Sequence, residues 1–196
     1  MYININFLKN FMVPGQRIRP TKEEYYLDIA KAVASRGTCI RRKVGAVIVK
    51  DDALLSTGYV GAPRNVYKGQ SDKPLISNCV DIEECLRMEL GIPSGERYDV
   101  CKSVHGEENA ITNAARIGSK ILGATLFISD VKDLNTYSQG THVYGPCTRC
   151  KRMIINSGIE KVFTRSGEGR IVALTIEDLI NQLLNEEKEL RKKYKK

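Results

Sequence analysis

The sequence HGEENA at residues 105–110 and the sequence GPCTRC at residues 145–150 decide the fold and the chemistry of this chain. The imidazole of His105 and the thiols of Cys147 and Cys150 are ligands of the kind that Zn²⁺ prefers. Three protein ligands leave one tetrahedral position open, which is a property of catalytic rather than structural zinc sites. Glu107 follows the histidine closely enough to act on a water molecule at the metal. We therefore predict a zinc site with Glu107 as its acid–base group.

Both stretches are predicted to begin α-helices. The first helix spans about 106–117, is rich in small residues and stops at Gly118, and the second runs from Cys147 to Asn156. Cys147 and Cys150 lie three residues apart and therefore share one face of a first turn. A thiol at a helix N-terminus has a lowered pKa, which favours the thiolate that zinc binds. Two helix starts that point at one place would leave the metal facing a pocket.

The alternative is a structural zinc clip, because a CxxC pair with a distant histidine occurs in many such clips. Three features favour the catalytic interpretation: the offset of Glu107, the position of Pro146 directly before Cys147, and the placement of both halves at helix starts. The pattern HxE followed by PCxxC is also the signature of zinc nucleobase deaminases. In such a site Glu107 would move protons during attack by water, a contribution of about 10²–10⁴ in rate.

Outward from the two motifs, helices and strands alternate, which predicts a layered α/β sandwich with a mixed sheet. A capping box of Thr21 and Glu24 predicts a first helix, and an apolar stripe predicts a last helix that starts near Thr175. A hairpin is expected first, followed by strands joined by crossovers. The predicted strands are 44–49, 54–59, 124–128, 161–164 and 170–174.

The chain length of 196 residues predicts one main domain. We expect an N-terminal arm at 1–19, the domain at 20–185 and a basic C-terminal tail at 186–196. Residues 61–74 are predicted to form a long polar loop, and residues 76–104 are the least regular region. A polar excursion at 129–145 contains His142, for which a surface position is expected rather than a role as ligand.

The charge balance of 31 basic and 23 acidic residues gives +8, which suits an anionic partner such as a nucleotide phosphate or a nucleic acid. No apolar run reaches the length of a membrane span, and the start of the chain has no secretory signal pattern. We therefore expect a cytoplasmic protein without a membrane partner. In a reducing compartment the six cysteines are better explained as metal ligands than as disulfides.

Further stretches extend the motif, and on them the chain resembles the deoxycytidylate (dCMP) deaminase family of the cytidine deaminase-like superfamily from about residue 19 to 164. The resemblance implies a three-layer α/β/α sandwich with a five-stranded mixed sheet. It implies zinc on His105, Cys147 and Cys150 and a proton shuttle at Glu107. The stretches are RRKVGAVIV at 41–49, GYVGAPR at 58–64, IPSGERY at 92–98, VHGEENAI at 104–111 and PCTRCKR at 146–152.

The same resemblance implies the reaction dCMP + water → dUMP + ammonia, in pyrimidine deoxynucleotide metabolism. It further implies a homo-oligomer, a hexamer or a dimer, and in many members regulation by dCTP and dTTP. Gly106 stands where family members usually have alanine or valine, and Val60 stands where many have an asparagine that contacts the sugar. Both are predicted substrate-binding positions. Arg64 is our candidate for the 5′-phosphate, with a surface arginine as the alternative.

Some relatives hold a second, structural zinc near the irregular region. An all-cysteine site from Cys79, Cys85, Cys101 and Cys39 would rigidify a stretch with little regular structure. The alternative is a set of buried free thiols, a common environment for this residue.

Three functional alternatives remain open beside dCMP deamination. Another cytosine nucleotide could be the substrate. A tRNA or other polynucleotide base would suit the positive charge, but the stretches GAPR and IPSG match dCMP deaminases better, so a nucleic-acid partner is not expected. The third alternative is a non-catalytic zinc-binding or nucleotide-binding module, which the presence of Glu107 disfavours.

Overall fold

A computed structural model describes residues 19–65, 69–93, 96–131 and 145–194. The predicted arm, apart from Arg19, and most of the 129–145 excursion with His142 lie outside the described residues. The helices are α1 (Lys22–Ala34), α2 (Cys79–Ile82), α3 (Leu86–Glu89), α4 (Gly106–Ile117), α5 (Thr148–Asn156) and α6 (Ile176–Tyr194). The strands are β1 (Val44–Lys50), β2 (Ala53–Tyr59), β3 (Arg64–Asn65), β4 (Gln70–Pro74), β5 (Thr125–Asp130), β6 (Lys161–Arg165) and β7 (Ile171–Thr175).

The main sheet has five strands in the order β2-β1-β5-β6-β7. Strand β1 pairs antiparallel with both β2 and β5, β5 pairs parallel with β6, and β6 pairs antiparallel with β7. Asp51 and Asp52 have φ values of 50° and 63°, as a tight hairpin turn between twisted strands requires. The predicted hairpin and mixed sheet are confirmed, and α5 is the helix of the crossover between the two parallel strands.

The sheet is covered by helices on both faces, which confirms the three-layer architecture. Along β1, Val47 and Val49 point to the face that α1 covers, and Ala46 and Ile48 point to the other face. Helices α4, α5 and α6 contribute residues to the core on this second face, among them Ala110, Ile154 and Leu179. All three of these side chains are fully buried. The continuous apolar run of β1 therefore correctly predicted a strand that is buried on both faces.

Three regions contain more regular structure than the sequence-based expectation. The predicted loop at 61–74 contains the small two-stranded sheet of β3 and β4. The irregular region at 76–104 contains the four-residue helices α2 and α3 and a short 3₁₀ turn at Tyr98–Val100. The segment predicted as a basic tail continues α6 as far as Tyr194. Within the described residues, no helix is both long and apolar enough to cross a membrane.

Candidate active site

The starts of α4 and α5 meet at one end of the sheet and bring together the three predicted metal ligands. His105 is the N-cap of α4 and Cys147 is the N-cap of α5. The Nδ1 atom of His105 lies 3.4 Å from Sγ of Cys147 and 3.3 Å from Sγ of Cys150. Tetrahedral zinc with its usual Zn–N and Zn–S bonds would hold such atoms about 3.5 Å apart. The donor set and its spacing therefore fit zinc.

The surroundings of the two thiols shift their pKa values in opposite directions. A hydrogen bond from Cys150 lowers the pKa of Cys147 to about 4, and the neighbouring His105 acts in the same direction. The same hydrogen bond raises the pKa of Cys150, which is also buried. The fold thus favours a thiolate on Cys147, and the thiolate is the form that binds zinc.

Glu107 is placed beside these ligands by the first turn of α4. Its side chain is buried, only 5% exposed, and burial raises the pKa of its carboxyl group. A cavity of about 500 Å³ opens next to it, with Glu107, His105 and Cys147 in its wall. A carboxyl group with a raised pKa inside a cavity, next to a candidate metal site, has the properties expected of a proton shuttle.

Helix α4 is held against β2 by side chains and by close backbone approach. Asn109 and Asn113 donate from Nδ2 to the carbonyl groups of Tyr59 and Thr57, at 2.8 and 2.7 Å. A Cβ atom added at Gly58 would lie 2.2 Å from the backbone nitrogen of Ala110, so only glycine allows this contact. These contacts fix the depth at which the first turn of α4 enters the site.

Gly106 is similarly constrained on the other side of the helix start. A Cβ atom there would lie 2.9 Å from the carbonyl oxygen of Val44 in β1. An alanine or valine at this position would therefore require a shift of the helix start or of the backbone of β1.

An ion pair between Glu108 and Arg149 connects the two helix starts directly. Arg149 donates from Nε and Nη2 to both carboxylate oxygens of Glu108, and Nη2 lies 2.5 Å from its oxygen. The carboxylate also accepts from the backbone nitrogen of His105 at 3.0 Å. Burial alone would raise the pKa of Glu108, but these hydrogen bonds lower it. Because Glu108 is buried, only 4% exposed, this pair fixes the separation of the ligand-bearing turns.

The sequence did not reveal this pairing, and Arg149 could equally have faced a neighbouring subunit. A usable signal was present, however. Glu108 occupies the third position of a helix, counted from the residue after the N-cap. A carboxylate at that position commonly accepts a hydrogen bond from the backbone nitrogen of the N-cap. An arginine between the two metal-ligand cysteines could then have been recognised as its partner.

Tyr98 is a second residue of the site that the sequence did not single out. Its ring packs edge-on against the His105 imidazole, with centroids 4.8 Å apart. The guanidinium carbon of Arg87 also lies over this ring, 4.6 Å from the Tyr98 centroid. Burial raises the pKa of the Tyr98 phenol, and the nearby charges of Arg87 and Arg42 act against that rise. All of these side chains line the same cavity.

The predicted substrate-binding residues fall into two groups. Val60 and Gly106 line the cavity that contains Glu107. Arg64 lines a separate cavity of about 370 Å³, where its Nη2 donates to Asn113 at 2.9 Å and its guanidinium packs on Tyr59. Its assignment to the 5′-phosphate stays a prediction to which this placement lends no support.

The other four cysteines line the cavity that contains Glu107, and none of them forms a disulfide. Burial raises the pKa of Cys79, and the nearby Cys39 contributes to the rise. Among the described residues, only His105, Cys147 and Cys150 form a group of three ligand atoms that all lie within 4.8 Å of one another. A second metal site on Cys39, Cys79, Cys85 and Cys101 stays a prediction.

A family model described as the cytidine and deoxycytidylate deaminase zinc-binding region matches residues 20–166. A deoxycytidylate deaminase of Mycobacterium phage D29 is 35% identical over 148 residues, a match that covers 74% of this chain and 94% of the phage protein. A deoxycytidylate deaminase of Schizosaccharomyces pombe is 28% identical, and the match spans only 37% of that protein.

A similar solved structure is that of the dCMP deaminase from the cyanophage S-TIM5 in complex with dCMP and dUMP. It has a TM-score of 0.51 and 25% sequence identity, and the match covers 85% of this chain and 95% of the cyanophage chain. The likeness therefore extends over most of both chains.

Proposed function

This chain belongs to the cytidine and deoxycytidylate deaminase zinc-binding family, and we propose that it catalyses the hydrolysis of dCMP to dUMP and ammonia. The observation that carries the proposal is the buried carboxyl group of Glu107 beside the His105, Cys147 and Cys150 group, in the wall of one cavity. The matches to the phage deoxycytidylate deaminase and to the cyanophage enzyme support dCMP as the substrate.

In the proposed reaction His105, Cys147 and Cys150 would hold the zinc ion, which would supply the activation of a water molecule as a nucleophile. Glu107 would accept a proton from the attacking water as the water oxygen adds to C4 of cytosine. The same carboxyl group then protonates N3, takes the proton of the new hydroxyl group on C4 and passes it to the amino group. The C4–N bond breaks and ammonia leaves, so that one water is consumed for each ammonia released. Val60 and Gly106 bound the space next to the substrate.

The proposal is tested by measuring ammonia release from dCMP, with CMP, dCTP, deoxycytidine and a tRNA stem-loop alongside and zinc quantified in the same sample. We expect dCMP to have the highest kcat/KM. Glu107→Gln should retain zinc and lose about 10²–10⁴-fold in kcat, because only the proton transfer is removed. Turnover of Glu107→Gln at the wild-type rate would contradict the assigned role. A preference for the stem-loop would instead favour a polynucleotide deaminase.

A second, structural zinc on Cys39, Cys79, Cys85 and Cys101 is part of the proposal. Its support is that all four thiols line one cavity, and that Cys39 and Cys85 lie near enough to Cys79 to affect its pKa. Bound zinc would draw these thiols together in a region with only short helices. Two zinc ions per chain in the wild type and one in Cys79→Ser are expected by elemental analysis. One ion in both proteins would remove the second site from the proposal.

Assembly, regulation and location complete the proposal. We expect a homo-oligomer, a hexamer or a dimer, because several large apolar side chains between residues 75 and 90 are exposed in the single chain. Light scattering after size-exclusion chromatography measures this directly. The same samples with dCTP or dTTP test whether these nucleotides act as effectors. A cytoplasmic location is expected from the free thiols.

A further inference from the structure

Arg149 lies between two of the candidate metal ligands and contacts the groups that surround the third. It stands in the first turn of α5, between Cys147 and Cys150. Its partly buried side chain donates to both carboxylate oxygens of Glu108 through Nε and Nη2. A guanidinium group has five N–H donors, so a two-point bond to a carboxylate leaves donors for a further partner.

The first connection from Arg149 to the third ligand runs through Glu108 to the backbone of His105. One oxygen of the Glu108 carboxylate, Oε2, accepts from Nη2 of Arg149 at 2.5 Å and from the backbone nitrogen of His105 at 3.0 Å. Hydrogen bonds to a charged group are stronger than those between neutral groups. The backbone of His105 is therefore held at a fixed position relative to the cysteine-bearing turn.

The second connection runs through Tyr98 to the ring of His105. Nη1 of Arg149 donates to the carbonyl oxygen of Tyr98 at 3.4 Å. The Tyr98 ring stands almost perpendicular to the imidazole, at an interplanar angle of 85° and a centroid distance of 4.8 Å. Edge-to-face contact is a favoured arrangement of two aromatic rings. It restricts rotation of the imidazole, whose Nδ1 faces the two thiols.

Tyr98 is in turn held by contacts of its own segment. The guanidinium carbon of Arg87 lies over its ring, and Nη2 of Arg87 donates to the carbonyl oxygen of Pro93 at 2.8 Å. Nη1 of Arg41 reaches the neighbouring carbonyl oxygen of Ile92 at 3.4 Å. The ring that packs on the imidazole is thus a supported surface, to which Arg149 adds a bond from the opposite wall of the cavity.

From these contacts we infer that Arg149 is a positioning residue for the metal site, which orients His105 through its backbone by way of Glu108 and through its ring by way of Tyr98. The inference rests on the zinc site of the proposed function. Groups that orient metal ligands typically change metal affinity or activity by about 10- to 100-fold when they are removed. Among the described residues of the cavity wall, neither Arg149 nor Glu108 occurs. Arg149 should therefore act on zinc binding and on the rate, and not on substrate affinity.

The test measures the zinc affinity of the folded protein by competition with a chromophoric chelator, without substrate. Arg149→Met should bind zinc about 10- to 100-fold more weakly than the wild type. Arg149→Lys keeps the charge but cannot form the two-point bond, so its affinity should lie between those of the other two proteins. The control is Arg152→Met, at an exposed position on the same helix, which should match the wild type. Wild-type zinc affinity in Arg149→Met would overturn the inference.

Two further comparisons distinguish positioning from general stabilisation. Adding Glu108→Leu to Arg149→Met removes the buried carboxylate together with its partner, which should recover part of the lost stability. Zinc affinity should stay low in this double variant, because the bond to the His105 nitrogen is not restored. Zinc affinity that recovers together with stability would overturn the inference. Tyr98→Phe, which keeps the ring, should bind zinc more tightly than Tyr98→Leu, and equal affinities would exclude the connection through the ring.

Turnover of dCMP at saturating zinc separates this inference from the proposed function. There Arg149→Met should lower kcat by up to about tenfold and leave KM unchanged. A wild type that turns over dCMP, with unchanged zinc affinity in Arg149→Met, would leave the function standing and overturn the inference. A wild type that binds zinc without turnover, with weaker zinc binding in Arg149→Met, would support the positioning role alone. Should Arg149→Met fail to fold by circular dichroism, Arg149→Lys and Tyr98→Leu carry the same comparison.

Discussion

The cavity has two walls, and the protein holds them by different means. The wall with the metal ligands is made of helix starts that are fixed to the sheet by backbone contact and buried hydrogen bonds, such as that from Ser56 to the carbonyl of Ala110 at 2.7 Å. The opposite wall, residues 76–104, has only short helices. It is tied together by side chains, chiefly Arg87 on Pro93 and Tyr98. We infer that the reacting groups need fixed positions. The wall that faces the rest of the ligand is instead stabilised by contacts between residues of its own segment.

The largest expected effect separates the two walls. Cys150→Ser should lose zinc from the candidate site and reduce dCMP turnover by about 10⁴-fold or more, as when a member of a catalytic unit is removed. Cys85→Ser, in the opposite wall, should leave kcat within about tenfold and lower stability, since it removes a structural thiol. Zinc content and kcat of the two variants check this. An equal loss of kcat in both would mean that the walls are not functionally distinct.

The next effect sharpens the description of the wall with the metal ligands. Arg149→Met should lower the free energy of unfolding by about 3 kcal/mol, because the buried carboxylate of Glu108 loses its partner. Urea unfolding measures the change, with Arg152→Met, an exposed position on the same helix, as the control. Adding Glu108→Leu to Arg149→Met should restore part of the stability. A double variant that is no better than the single one would contradict the pairing.

Much of the wall with the metal ligands could be predicted from the sequence. The ligands lie at helix starts, which caps, small residues and cysteine spacing mark locally, and the strands are marked by apolar runs such as 44–49. The opposite wall could not be predicted, because no periodicity relates Arg87 to Tyr98 or Arg41 to Ile92. Their contacts depend on how the loop returns after β4. The Arg64 assignment followed sequence proximity to a motif, yet the side chain lies in another cavity.

A smaller effect tests the close contact between α4 and β2. Gly58→Ala should lower stability by about 1–3 kcal/mol, since its new methyl group would lie 2.3 Å from the Gly106 carbonyl oxygen. The matched control is Gly145→Ala, whose added carbon would approach only Leu174 among the described residues, at 3.6 Å. Thermal unfolding of both variants measures the difference. Equal stability would show that the helix start can shift away from the sheet.

The smallest effect concerns the outer side of the same wall, where α6 supports α5. Glu186 accepts hydrogen bonds from Lys151 at 2.5 Å and from Thr148 at 2.6 Å. Burial raises its pKa, but these donors outweigh burial, so the pKa of Glu186 is lowered. Its stabilisation is therefore present above the ordinary glutamate pKa of about 4.3 and is lost as pH falls through the lower value of the folded state.

Glu186→Gln should accordingly reduce stability at pH 7 by less than about 1 kcal/mol, because the carboxylate is more than a third exposed. The difference in stability between the variant and the wild type should shrink once the pH falls below the pKa of Glu186 in the folded protein. Urea unfolding midpoints at pH 7 and at a pH below that pKa measure the difference. The control is Glu189→Gln, at an exposed position. A deficit that persists unchanged in acid would show that charge on Glu186 is not its source.

The separation of the ligands along the chain has a kinetic consequence. Cys147 and Cys150 are 42 and 45 residues from His105, and α4 is seated on β2 by a contact that spans 54 residues. Because the ligands stand at the starts of two helices that pack on the sheet, we expect the metal-binding geometry to be completed only after β1, β5 and β6 have paired. An interaction completed that late is absent from the folding transition state. Zinc should therefore leave the refolding rate nearly unchanged and stabilise the protein by lowering its unfolding rate.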